Sequence, residues 1–173
     1  MHYLMLVTLA LDDATTSLDA RRQAMDFLLA DDSFCGEGGR FVSPLCDWFV
    51  IGGRWSGMLK ETLLGDAYKA AFRQEFPEMY SGYFPALLVD KHRDRLNQIW
   101  QRFGGTGPHP ATRSSYDDLG CDDDAMLVDQ PLYDHFLAED SCQHCETFAD
   151  LDDEPVDETF IGRKWLVVVD YHN

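Results

Sequence analysis

The residues of this chain best equipped for chemistry lie in one phrase, Cys46-Asp47-Trp48-Phe49-Val50-Ile51-Gly52-Gly53-Arg54-Trp55-Ser56-Gly57. Trp48 to Ile51 has the aromatic and β-branched character of a strand, and Gly52-Gly53 stops it by reaching backbone angles that side chains forbid. Beyond such a stop, backbone amides can face a ligand. Arg54 offers a planar fork to a carboxylate or phosphate, and Trp48 or Trp55 can stack on a ring. The candidate ligand-binding set is therefore Trp48, Gly52, Gly53, Arg54 and Trp55, and the ligand class is a small anion or a nucleotide. A Walker loop is excluded because no Lys-Ser or Lys-Thr follows, and the glycine spacing does not match the dinucleotide fingerprint. Ser56 does not sit in a G-x-S-x-G elbow. A hairpin end, with core tryptophans and Arg54 paired to a carboxylate, would use the same residues.

Two other constellations bear on metals. Cys142-Gln143-His144-Cys145 has the spacing of half a zinc site, which Cys121, Cys35, Cys46 or His135 would have to complete. Zinc at Cys121, Cys142, His144 and Cys145 is therefore one expectation and ordinary thiols are another; a redox role is the third, disfavoured because the acidic helix end before Cys142 opposes a thiolate. Asp90, Asp129 and Asp170 each follow a valine at an expected strand end. If those strands ran parallel, the three carboxylates would gather at one sheet edge and hold Mg2+ or Mn2+. The six histidines are scattered and form no nucleophile–base pair, so no catalytic residue is assigned.

Charge is the strongest compositional signal. The chain carries a formal net charge of −17, and residues 114–162 contain sixteen carboxylates with no lysine or arginine. Such a balance opposes direct binding to nucleic acid or to an anionic membrane and favours a basic partner. One functional reading follows: a non-enzymatic interaction protein whose acidic segment imitates a nucleic-acid backbone and blocks or regulates a basic, nucleic-acid-binding protein. The residues expected to make that contact are Asp117, Asp118, Asp122, Asp123, Asp124, Asp152, Asp153 and Glu154. Acidic phage-encoded inhibitors are similar in charge and size. The rival reading is a small-ligand site at Gly52-Gly53-Arg54-Trp55. At that phrase the chain resembles small uncharacterised bacterial and phage proteins in which Gly-Gly-Arg-Trp-Ser-Gly follows an aromatic strand. The likeness covers about a dozen residues and implies no activity.

The elements that must position these groups read as a single α+β domain spanning 1–173, with the acidic segment at 114–162. Expected strands are 3–11, 48–51, 84–90, 125–129 and 165–171; expected helices start near Thr16 or Ser17, at Asp66, after Asp90 and at Pro131. About five strands and three or four helices result, with the two terminal strands adjacent, as in a ferredoxin-like α/β sandwich. Residues 125–129 echo 86–90, each an apolar run ending in Val-Asp. Lys91, Arg93, Arg95 and Arg102 make the third helix basic, a polar face on which the acidic segment could dock. Five cysteines without a basic apolar leader point to reduced thiols in the cytoplasm, and no apolar run is long enough to span a membrane.

Overall fold

The computed structural model describes residues 2–10, 13–30, 48–79, 86–113, 119–138, 146–147 and 163–172. In chain order these form β1 (His2–Ala10), α1 (Ser17–Ala30), β2 (Trp48–Ile51), α2 (Met58–Glu75), α3 (Ala86–Arg102), β3 (Ala125–Asp129), α4 (Gln130–Ala138), β4 (Glu146–Thr147) and β5 (Arg163–His172). The class is α+β, as the sequence predicts.

β1 and β5 are antiparallel neighbours along their whole length, from His2 opposite His172 to Ala10 opposite Lys164. Both are nearly continuous apolar runs because both of their faces are covered. Met5, Val7, Val167 and Val169 point to one side, where they meet Ala20, Ala24 and Leu28 of α1. Leu4, Leu6, Leu166 and Val168 point to the other, against Leu59 of α2 and Phe136 of α4. β4 adds to β1 in parallel through two residues.

The other edge of β5 is shared. β2 pairs with its C-terminal part, ending with Ile51 opposite Val169, and β3 pairs with its N-terminal part, beginning with Ala125 opposite Val167. Both run antiparallel to β5, so they lie in line as one edge strand interrupted at Val168. The interruption is where the phrase beginning at Gly52 leaves the sheet.

α2 and α3 build a core of their own from Tyr68, Phe76, Met79, Val89, Leu96, Ile99 and Trp100. α2 starts earlier than the sequence predicts, at Met58. It is broken at Gly65, whose φ of 68° no helix contains, so the helix expected from Asp66 is its second half. A more substantial correction concerns residues 86–90, which are the first turns of α3 and not a strand. Val89 is buried with Leu96, Ile99 and Trp100, while Leu87 is exposed. A short apolar run has no period that separates strand from helix, and here the stripe continuing to Trp100 decides. The likeness of 86–90 to 125–129 is therefore not structural. The three arginines of α3 pair locally: Arg93 with Asp90 and the Thr112 carbonyl, Arg95 with the Glu75 carbonyl, and Arg102 with the Glu75 carboxylate. Among the described residues none of them meets the acidic segment. No described helix is long and apolar enough to cross a membrane.

Trp100 is completely buried and meets Tyr68 and His109 edge to face at 5.8 and 5.5 Å. Its replacement in Trp100→Ala should cost about 3–5 kcal/mol, read as a lower urea midpoint with an unchanged slope.

Candidate functional site

The site grows from the interruption in the edge strand. Gly52 closes β2 with its N–H donating to the Val168 carbonyl at 2.7 Å, then turns away with φ of 77° into a 3-10 turn over Gly53–Trp55. From the opposite side, the 3-10 turn Asp122–Asp124 leads into β3 and brings Asp124 into the gap. The Asp124 side chain is fully buried and accepts from Gly57 N at 2.8 Å, Cys121 N at 2.8 Å, Ser56 Oγ at 3.1 Å and Cys121 Sγ at 3.0 Å. A β-carbon at Gly52 would collide with this carboxylate. Asp170, buried on β5, accepts the Arg54 N–H at 3.0 Å, and a β-carbon at Gly53 would strike it. The two glycines thus make room for two aspartates. The amides of Gly52 and Arg54 are engaged within the protein, whereas the Arg54 side chain lies on the wall of a cleft.

Around this turn lies a cleft of about 1060 Å³. Its walls are the turn 53–56, Met58 and Glu61 of α2, the loop 106–111 with Arg113, residues 120–122 with Asp124, and Arg21 of α1. The loop wall is tied to α3 by Asn97, whose Oδ1 accepts from His109 N at 2.8 Å and Thr112 Oγ1 at 3.1 Å. Three arginines line the cleft, and they differ in what holds them. Arg21 donates to Asp122 at 2.7 Å and to the Leu119 carbonyl at 2.9 Å. Arg113 donates to Asp123 at 2.9 Å, to the Thr106 and Pro108 carbonyls at 2.9 and 2.8 Å, and contacts Cys121 Sγ. Arg54 is exposed and its guanidinium has no hydrogen-bond partner among the described residues.

The titratable groups are shifted by burial. His109 is buried, and its Nδ1 accepts the Ala111 N–H at 3.1 Å, which assigns the proton to Nε2 and its donation to Tyr68 Oη at 3.1 Å. Burial and the nearby Arg113 charge push its pKa down to about 4. Tyr68 is raised by burial and by the Glu61 charge. Glu61 is pushed up to about 7 by burial, opposed by Lys69. Burial and Asp124 push Cys121 up to about 12, outweighing the contact with Arg113. Its Sγ–H therefore stays on sulfur and donates to Asp124, and no thiolate nucleophile is present there at neutral pH.

Of the ligand-binding set, Gly53, Arg54 and Trp55 line the cleft and Gly52 shapes it. Trp48 stands at the far end of β2, stacked on His172 with centroids 5.7 Å apart, and is not part of the cleft wall. Of the acidic set, Asp122 and Asp123 pair with Arg21 and Arg113, and Asp124 caps the turn. Asp117, Asp118, Asp152, Asp153 and Glu154 lie outside the described residues, as do Cys142, His144 and Cys145 of the zinc expectation. Among the described residues no group of three or more His, Cys, Asp or Glu is placed to hold a metal. The strand-end carboxylates do not gather: Asp90 is on a helix, and Asp129 opposes Arg163 at one end of β5 while Asp170 is near the other. Sequence reasoning missed Glu61 and Arg113, and it named Asp124 for partner contact and Asp170 for metal binding instead of as clamps of the turn. An acid inside the apolar run Leu166–Tyr171 was the available signal, because a carboxylate in a buried strand must be met by donors.

No known protein family, curated protein or solved structure matches the chain.

Two predictions follow from these contacts. Asp124→Asn keeps the shape but turns two acceptors into one acceptor and an amide donor facing other donors. It should lower stability by about 2–4 kcal/mol, seen in chemical denaturation. The pH dependence has two opposed parts. His109, lowered from 6.5 to about 4, contributes stability above pH 6.5 that is lost as pH falls through 4. Glu61, raised from 4.5 to about 7, contributes stability below pH 4.5 that is lost as pH rises through 7. Glu61→Gln should therefore raise the melting temperature by about 2–4 °C at pH 8.5 and leave it nearly unchanged at pH 5.

Proposed function

We propose that this protein binds a small anionic ligand with a flat ring, of which a nucleoside monophosphate is the representative, in the cleft beside the turn Gly53–Trp55. The observation that carries this reading is Arg54: an exposed guanidinium without a hydrogen-bond partner among the described residues, on the wall of a 1060 Å³ cleft and adjacent to Trp55. A guanidinium matches a phosphate or carboxylate through two parallel donors, and an indole supplies a stacking surface. The cleft volume suits a ligand of nucleotide size. Because Arg54's backbone is held by Asp170 and the turn by Asp124, the cation is carried on a prepared frame.

The acidic-partner reading draws on the charge of 114–162 alone, and three of its eight named residues are already engaged inside the domain. The cleft reading is preferred for that reason. No reaction is assigned, because the thiol is protonated and Ser56 has no histidine partner in the contacts it makes with Asp124, Cys121 and Arg113.

Arg54→Ala should weaken binding of nucleoside monophosphates by about tenfold or more, measured by calorimetric titration at low salt, with the melting temperature within about 1 °C of the parent because surface changes are small in effect. A large fall in melting temperature, or unchanged binding, would remove Arg54 from the site.

A further inference from the structure

Arg54 and Trp55 account for an anion and a ring face, and leave the edge of the ring unread. Glu61 stands in the first turns of α2, its N–H donating to the Gly57 carbonyl at 2.9 Å, and it lines the same cleft. The other carboxylates on that wall are engaged: Asp124 takes the donors of Ser56, Gly57 and Cys121, and Asp122 takes Arg21. The Glu61 carboxylate accepts no hydrogen bond from any described residue, although it is half-buried. A carboxylate held partly away from water with both oxygens open is costly unless donors reach it. The donor-rich walls of the cleft do not supply them, since Arg21 and Arg113 are directed at their own partners.

We propose that Glu61 reads the ring edge of the bound nucleotide by accepting two parallel N–H bonds, so that the cleft takes a guanine nucleotide in preference to an adenine one. This rests on the nucleotide-binding reading above and adds the base. A carboxylate presents two acceptors side by side. Guanine is the common base whose ring N–H and exocyclic amino group are adjacent donors. Adenine and cytosine set an amino group beside an unprotonated ring nitrogen, whose lone pair would face a carboxylate oxygen. Uracil flanks its one ring N–H with two carbonyls. Charge-assisted, bidentate bonds of this kind are roughly twice as strong as neutral ones. Burial already brings the free carboxyl to about 7, and a pair of ligand donors would favour its ionised form.

The test is calorimetric titration of the full chain at pH 8 with guanosine, inosine and adenosine monophosphates. The parent protein should bind the guanosine compound about tenfold or more tighter than either of the others; inosine monophosphate differs from it by the exocyclic amino group alone, so this arm needs no variant. Glu61→Gln replaces two acceptors by one acceptor and one donor, the pattern that pairs with adenine. It should weaken guanosine monophosphate by about tenfold and strengthen adenosine monophosphate, reversing the order. Arg54→Ala should weaken all three alike. Equal binding of the three by the parent, with all lost in Arg54→Ala, would overturn the role of Glu61 and leave the anion site standing. A uniform loss in Glu61→Gln would likewise mark the residue as structural. Failure of every nucleotide to bind the parent would overturn both readings together.

Discussion

A carboxylate removed from water must be met by donors, and in this protein the hydroxyl of Ser56, the amides of Gly57 and Cys121 and the thiol of Cys121 converge on Asp124. Those donors belong to two segments more than sixty residues apart, so satisfying one buried charge fixes the turn after β2 against the turn before β3. The sheet leaves a place for it. β2 and β3 occupy the same edge of β5 and stop one residue short of each other, and the carboxylate sits beside that gap, against Gly52 and Gly120. Gly52 and Gly120 lack the side-chain atoms that would fill this place. Remove the charge or the glycines and both turns lose their reason to meet.

The same economy of donors and acceptors sorts the arginines. Arg21 and Arg113 are half or more enclosed and carry carboxylate and carbonyl partners, as burial of a guanidinium requires. They hold the acidic turn Asp122–Asp124 onto α1 and onto the loop 106–113. Arg54 differs because Asp170 binds its backbone and leaves its side chain to the cleft. Three cations around one cleft therefore do two jobs, and the distinction is set by which of their atoms the aspartates reach.

The second wall comes from the helical unit of α2 and α3. Gly65 breaks α2 so that its first half packs under the sheet with Leu59 while its second half joins α3. His109 is the link between that core and the cleft: neutral, buried among Tyr68, Phe72 and Trp100, and held by Asn97 and Ala111. Its neutrality lets an imidazole lie in an apolar cluster without a counter-charge. The cleft is thus bounded by the sheet edge at Ile51 on one side and, on the other, by the loop 106–111 that His109 anchors in the aromatic core.

The sequence by itself determined the α+β class, the pairing of two apolar terminal strands, α1, β2, β3, and the phrase containing Arg54 and Trp55, because apolar period and glycine punctuation are local properties. It marked Asp170 as a strand acid but offered it to a metal, where the fold gives it the Arg54 N–H. Residues 86–90 misled it, since four apolar residues in a row satisfy a strand and a buried helical turn equally. Whether the aspartates at 122–124 face solvent or the interior was decided only by tertiary structure. Composition counts a carboxylate as one charge, but its role depends on donors brought from distant segments, here Arg21, Arg113, Ser56 and Gly57. For the same reason Glu61 was invisible in the chain: a carboxyl on a helix becomes distinctive only when the packing around it supplies burial and, among the described residues, no hydrogen-bond donor.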